Sequence, residues 1–283
     1  MRFTLGLILL LWGVAGYSLA APALWSAIKD DQQLWLFGSI HLADESISPL
    51  PNSLQARLTH SKHLYVEVDP SRLTPDVLAP YLTLPKQQTW QSRLGEPLAA
   101  ELKQQLDKLH LAHLSALPPW FAAMQLSQAN AQRLGFSSDK GVDMQLLRLA
   151  QQQGITITGL EPPTLVFELL SSLAERQLEQ DFVRHTLAEQ AQLAEQLTLL
   201  LSTWQAGDEQ ALLALLQDEQ SPDMTTFIEQ ELLLARNQLW LEKLAHQAPS
   251  SALIVVGALH LYGEHGLLQL LRNAGYQVNK AGS

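Results

Sequence analysis

Apolar residues fall along this chain in two rhythms, short unbroken runs and longer stretches at helical spacing. The runs read as strands. Residues 24–28 (LWSAI) and 33–37 (QLWLF) flank Lys29-Asp30-Asp31 and predict a hairpin. Residues 253–256 (LIVV) end at Gly257, the pattern of a strand buried on both faces. In 63–69 (HLYVEVD) the period of two puts Leu64, Val66 and Val68 on one face and Tyr65, Glu67 and Asp69 on the other. Residues 155–160 (ITITGL) and 276–278 (YQV) complete the set.

The helical stretches lie between. Asn52 or Ser53 is placed to cap a helix over 54–61. Residues 96–109 and 120–134 follow, the second closed by Gly135, then 144–153, closed by Gly154. Pro162-Pro163 opens the next helix at the position proline tolerates best. Residues 175–205 predict one long amphipathic helix, too irregular in its heptads for a coiled coil. Further helices are expected over 211–217, over 224–247 with Phe227, Leu232, Leu233, Leu239 and Leu244 as its apolar set, and over 266–274. This order predicts an α/β fold: a mixed, largely parallel sheet flanked by helices, with a mostly helical cap over about 175–247.

Residues 1–20 follow a different rule. A positive start at Arg2, an apolar core over 5–14 and the small residues Ser18 and Ala20 mark a secretory signal peptide cleaved after Ala20. The apolar core is short for a membrane span, which needs ~20 residues. Residues 21–283 are then a single exported domain, periplasmic or secreted, with no stable membrane span. The net charge of −10 leaves no basic face for nucleic acid. The absence of cysteine rules out disulfides, thiol nucleophiles and cysteine-type zinc sites.

Two of the runs end alike, in Gly38-Ser39-Ile40-His41 and Gly257-Ala258-Leu259-His260. His41, Glu67, Glu161 and His260 all fall at or just past the carboxyl ends of expected strands, where open α/β sheets build their sites. Two imidazoles and a carboxylate suit a divalent metal with open positions for water or substrate. They suit packed, hydrogen-bonded structural roles equally. The pairs His60/His63 and His110/His113, with His185 and His246, read as surface histidines, and His265 as a neighbour of the site.

Taken together, LWLFGSIH (34–41), YVEVD (65–69), KGVD (140–143), ITGLE (157–161), ARN (235–237) and the stretch 255–278 resemble the TraB/GumN (PrgY-like) family. That family is distantly related to the Tiki metalloproteases and to erythromycin-esterase and ChaN-like proteins. The resemblance covers the whole chain after the signal segment. It implies a metal-dependent, peptidase-like hydrolase. His41, His260 and Glu67 would hold the metal, Mn or Co before Zn, with Glu67 also catalytic. Arg236 and Asn237 would stabilise an oxyanion or hold a substrate carboxylate, Glu161 would help bind substrate, and Asp143 would fix loops under the site. The substrate would be a peptide or small molecule. Two alternatives accompany this reading: a metal-free esterase-type hydrolase with a histidine general base, and a non-catalytic protein that binds a peptide or envelope component.

Overall fold

The computed structural model describes residues 22–215 and 221–281. The signal-peptide segment lies outside the described residues. Six strands form one sheet: β1 (Leu24–Lys29), β2 (Gln32–Ser39), β3 (His63–Val66), β4 (Thr156–Gly159), β5 (Ser251–Gly257) and β6 (Gln277–Lys280). Their spatial order is β4-β3-β5-β2-β1-β6. The pairs β4–β3, β3–β5 and β5–β2 are parallel, while β2–β1 and β1–β6 are antiparallel. The fold is therefore α/β with a mixed, largely parallel sheet.

The register explains where a site can form. β5 comes late in the chain but inserts between β2 and β3, so the chain leaves those neighbours in different directions. Ser39 pairs with Gly257, Val66 with Val255 and Val66 with Gly159, which brings four carboxyl ends to one edge. The unbroken run of β5 is what that central place demands: Ala252, Leu253, Ile254 and Val256 are wholly buried.

Gly38 marks a tight crossing of the two repeated segments. A Cβ there would stand 2.9 Å from Ala258 Cα, and the Gly38 carbonyl accepts from the buried Trp204 Nε1 at 2.9 Å. We expect Gly38→Ala to cost ~1–3 kcal/mol through overpacking. Urea unfolding measures this, and an unchanged midpoint would contradict it.

The structure departs from the sequence pattern in several places. The strand expected over 63–69 ends at Val66, although the ladder runs on through Glu161 N–H to the Glu67 carbonyl (3.1 Å). Asp69 has turned away to cap the short turn Pro70–Arg72 through Ser71. The helix Asn52–His60 starts behind Pro51 with no side-chain cap, so neither Asn52 nor Ser53 caps it. Pro162-Pro163 lie in the turn before the helix Leu165–Ser171, not at its first position.

The single helix expected over 175–205 is two, Glu179–Glu189 and Leu193–Ala206. Its halves bury against different partners. Val183 packs with Leu102, Leu106 and Leu126 in a helical cluster, whereas Leu197, Leu201 and Trp204 join the core around the sheet. Gln190, at the break, holds Asn130 and Ser127 of the neighbouring helix Pro119–Arg133.

The stretch 224–247 winds as a short α-helix (Pro222–Phe227), a π-helix (Ile228–Ala235) and a second α-helix (Arg236–Gln247). Leu239, expected in its apolar set, is exposed, and the buried face is Arg236, Asn237, Trp240 and Leu244. Trp240 and Leu244 belong to the core around the sheet, so 175–247 does not pack as one unit.

Candidate functional site

The buried face of Arg236–Gln247 lies against the carboxyl edge of the sheet. The local widening of a π-helix recurs at functional sites because it re-aims the residues beyond it. Here the residue directly after it is Arg236, 6% exposed.

The Arg236 guanidinium has five N–H donors, and all five are engaged. Nε and Nη2 donate to Glu161 Oε2 (2.9 Å) and Oε1 (2.8 Å), a bidentate fork. Nη2 also donates to Glu67 Oε2 at 2.6 Å. Nη1 donates to the Leu232 carbonyl (3.1 Å) and faces His260 Nε2 at 3.0 Å. The Trp240 ring stands 4.9 Å from the guanidinium carbon, and Trp240 Nε1 donates to Glu161 Oε2 at 2.8 Å. No N–H of Arg236 remains for a substrate carboxylate or an oxyanion, the role expected from the sequence. Glu161, its side chain fully buried behind this fork, is equally out of a substrate's reach.

Asn237 fixes the state of His260. Its Nδ2 donates to the backbone carbonyls of His260 (3.1 Å) and His265 (2.9 Å), so its Oδ1 must be the atom facing His260 Nδ1 at 2.8 Å. An acceptor there requires Nδ1–H. The lone pair is then on Nε2, where Arg236 donates to it. Burial, aided by the positive charges of Arg236 and His41, lowers the His260 pKa to about 3, so the ring is neutral. The Trp240 ring covers it, with centroids 4.4 Å apart.

His41 stands at the mouth, with 58% of its side chain exposed while its two nitrogens turn inward. Nδ1 lies 3.2 Å from Asp143 Oδ2, and Nε2 lies 3.7 Å from Glu67 Oε1. Desolvation opposes its charge, but Asp143 and Glu67 overcome it and raise the pKa to about 10. Glu67 Oε1 also accepts the Gly257 N–H at 2.6 Å. Burial alone would raise Glu67, yet contact with His41 and the charge of Arg236 hold it well below the usual carboxylate range. Burial, only partly offset by Arg236, raises Glu161.

Gly257 is buried with φ −51° and ψ 138°, a backbone that any residue adopts. Space explains the glycine. A Cβ would stand 3.2 Å from Glu67 Oε1, 3.3 Å from His41 Nε2 and 3.7 Å from His260 Cδ2. The glycine keeps open the ground on which these three side chains converge.

The donor set does not fit a metal held by His41, Glu67 and His260 in this arrangement. The His260 lone pair is directed at Arg236, and Glu67 Oε2 is bonded to the same guanidinium. What remains is His41 Nε2 and one lone pair of Glu67 Oε1, where protein metal sites take three or more ligands. Among the described residues no three His, Asp or Glu side chains are grouped to hold a metal ion. A cation arriving here would also stand beside a guanidinium.

The structure thus brings His41, Glu67, Glu161, Arg236, Asn237 and His260 together, with Asp143 behind His41. Trp240 joins them, a residue whose one sequence signal is its spacing of four from Arg236, on one helical face. The Gly257 N–H also belongs to the cluster, a backbone donor that no side-chain pattern reveals. Of His265, the backbone carbonyl serves the site.

An α/β sheet carrying this cluster at its carboxyl edge matches the TraB/PrgY/gumN family over residues 23–280, and the chain belongs to that family. It is similar to "Uncharacterized protein YbaP" of Escherichia coli (strain K12), 30% identical over 271 residues that cover 88% of this chain and 97% of the relative. The protein of the same name in Shigella flexneri is similar to the same extent. No solved structure matches.

Proposed function

We propose that this chain is a hydrolase that works through a proton-transfer pair, His41 and Glu67, with no metal bound by His260. The observation that carries the reading is the 3.7 Å approach of His41 Nε2 to Glu67 Oε1 beside a residue without a side chain. Each partner is held from behind, His41 by Asp143 and Glu67 by Arg236 and the Gly257 N–H. The two pKa shifts have opposite signs, so Glu67 is ionised and His41 protonated across neutral pH.

That is the charge state of a base beside an acid. Glu67 Oε1 takes a proton from the attacking water, and His41 Nε2 gives one to the leaving group. Arg236 keeps Glu67 ionised and in place, and His260 and Asn237 keep Arg236 in place. Glu161 neutralises the guanidinium. The substrate is a peptide or small molecule with an ester or amide bond. Among the described residues no helix is long and apolar enough to cross a membrane. Cleavage after Ala20 would place the reaction in the periplasm or outside the cell.

The test is turnover of an acyl-ester and peptide panel by wild type, His41→Ala and Glu67→Gln. We expect each substitution to lower kcat/KM by ~10²–10⁴-fold, the usual contribution of a positioned acid or base. The pH profile should be flat through neutrality and fall on the alkaline side as His41 loses its proton, above the ordinary imidazole range. On the acid side it should fall only below the ordinary carboxylate range, as Glu67 gains one. Undiminished turnover in both variants would contradict the proposal.

A further inference from the structure

Beside the site, a cavity of about 320 Å³ opens between the π-helix and the loop after His260. Its walls are apolar: Leu213, Leu233, Leu259 and the Tyr262 ring. Asn237, which holds His260, contributes to its lining, so the cavity adjoins the candidate site through that one residue. Glu229 and Glu264 complete it, both exposed. Among the described residues neither forms an ion pair or a side-chain hydrogen bond, so both carboxylates are available to a ligand. No lysine or arginine is among the lining residues.

An apolar cleft edged by two available carboxylates complements an aliphatic stem that ends in a cation. A purely apolar group would leave the carboxylates without a partner, and an anion would meet two like charges. We propose that this cavity is the specificity subsite of the hydrolase and receives a lysine or arginine side chain of a peptide substrate. The stem would lie on the leucines and Tyr262, and the ammonium or guanidinium would reach Glu229 and Glu264. Its role in orienting a scissile bond rests on the hydrolase reading; the binding preference does not.

Binding separates the two. Three blocked tripeptides, Ala-Xaa-Ala amide with Xaa lysine, norleucine or glutamate, are titrated into the full chain by calorimetry or NMR. The titration is repeated in His41→Ala, where no bond is broken. The lysine peptide should bind about tenfold or more tightly than the norleucine peptide, and the glutamate peptide most weakly. The double variant Glu229→Gln/Glu264→Gln should lose the lysine preference and keep norleucine binding. A control double variant at the exposed Glu96 and Glu101, on the helix Glu96–Lys108, should keep the preference and so exclude a general effect of the acidic chain. Equal or tighter binding of norleucine, a preference that survives Glu229→Gln/Glu264→Gln, or no lysine-peptide binding at millimolar concentration would each overturn the assignment. Lysine-selective binding without turnover would instead fault the hydrolase reading alone.

Discussion

Arg236→Met is expected to lower the unfolding free energy by ~3–5 kcal/mol, the cost of breaking a buried ion pair from one side. Among the described residues the guanidinium is the only positive group bonded to both Glu67 and Glu161, and without it Glu161 is left buried with no positive partner and Glu67 keeps only His41. The deficit should depend on pH with a definite sign. In the wild type Glu67 has a depressed pKa, so its contribution is present above the unfolded carboxylate range and is lost as pH falls through the folded value. In the variant Glu161, already raised by burial, would lose the charge that offsets it and rise further, while Glu67 would keep His41 and the Gly257 N–H. The folded state would then bind more protons than the unfolded chain, and stability would fall as pH rises through that window. Urea unfolding at acidic and at neutral pH should therefore show a smaller deficit in acid. Arg236→Lys should recover only part, because one ammonium cannot replace five donors in a planar fork. A Met variant as stable as wild type, or a deficit independent of pH, would contradict this.

Gly257→Ala is expected to leave the fold nearly intact and to lower turnover by ~10²-fold or more, the scale of loss from a misplacement of about 1 Å. The substitution keeps the backbone N–H that holds Glu67, and φ −51° suits alanine, so the change is steric alone. The added methyl stands 3.2 Å from Glu67 Oε1 and 3.3 Å from His41 Nε2, on the ground where a substrate must meet both. Urea unfolding should change by no more than ~1–2 kcal/mol, because the crowded neighbours are side chains with room to shift. Undiminished kcat/KM would remove Gly257 from the site. The two glycines of the repeated segments thus differ: Gly38 admits the close approach of Ala258, and Gly257 leaves space between Glu67, His41 and His260.

Much of this fold was legible in the sequence because its signals are local. The apolar run at 253–256 marked the central strand, and the alternation in 63–69 set Glu67 apart from its neighbours. The Gly-x-x-His pair, with Glu67 and Glu161 at strand ends, pointed to the cluster at the sheet's carboxyl edge once a parallel sheet was assumed. What the pattern could not give was set by packing. The break near Gln190 carries no Gly or Pro, and it arises because two halves of one amphipathic stretch find separate cores. The part each polar group plays depended on hydrogen bonds between residues far apart in sequence. Arg236 was visible as a candidate, but its saturation by Glu67, Glu161, His260 and Leu232 was not. Nor did the sequence show that Asn237 sets the tautomer of His260 and so turns a prospective metal ligand into an acceptor for arginine.

The most direct test of the central claim is hydrolysis by wild-type protein stripped of metal with a chelator and verified metal-free by elemental analysis, assayed beside Glu67→Gln. The stripped wild type should turn over substrate at its original rate, and Glu67→Gln should not. A stripped wild type that is inactive, and that Mn²⁺ or Co²⁺ restores, would contradict the claim and return His260 to the role of metal ligand.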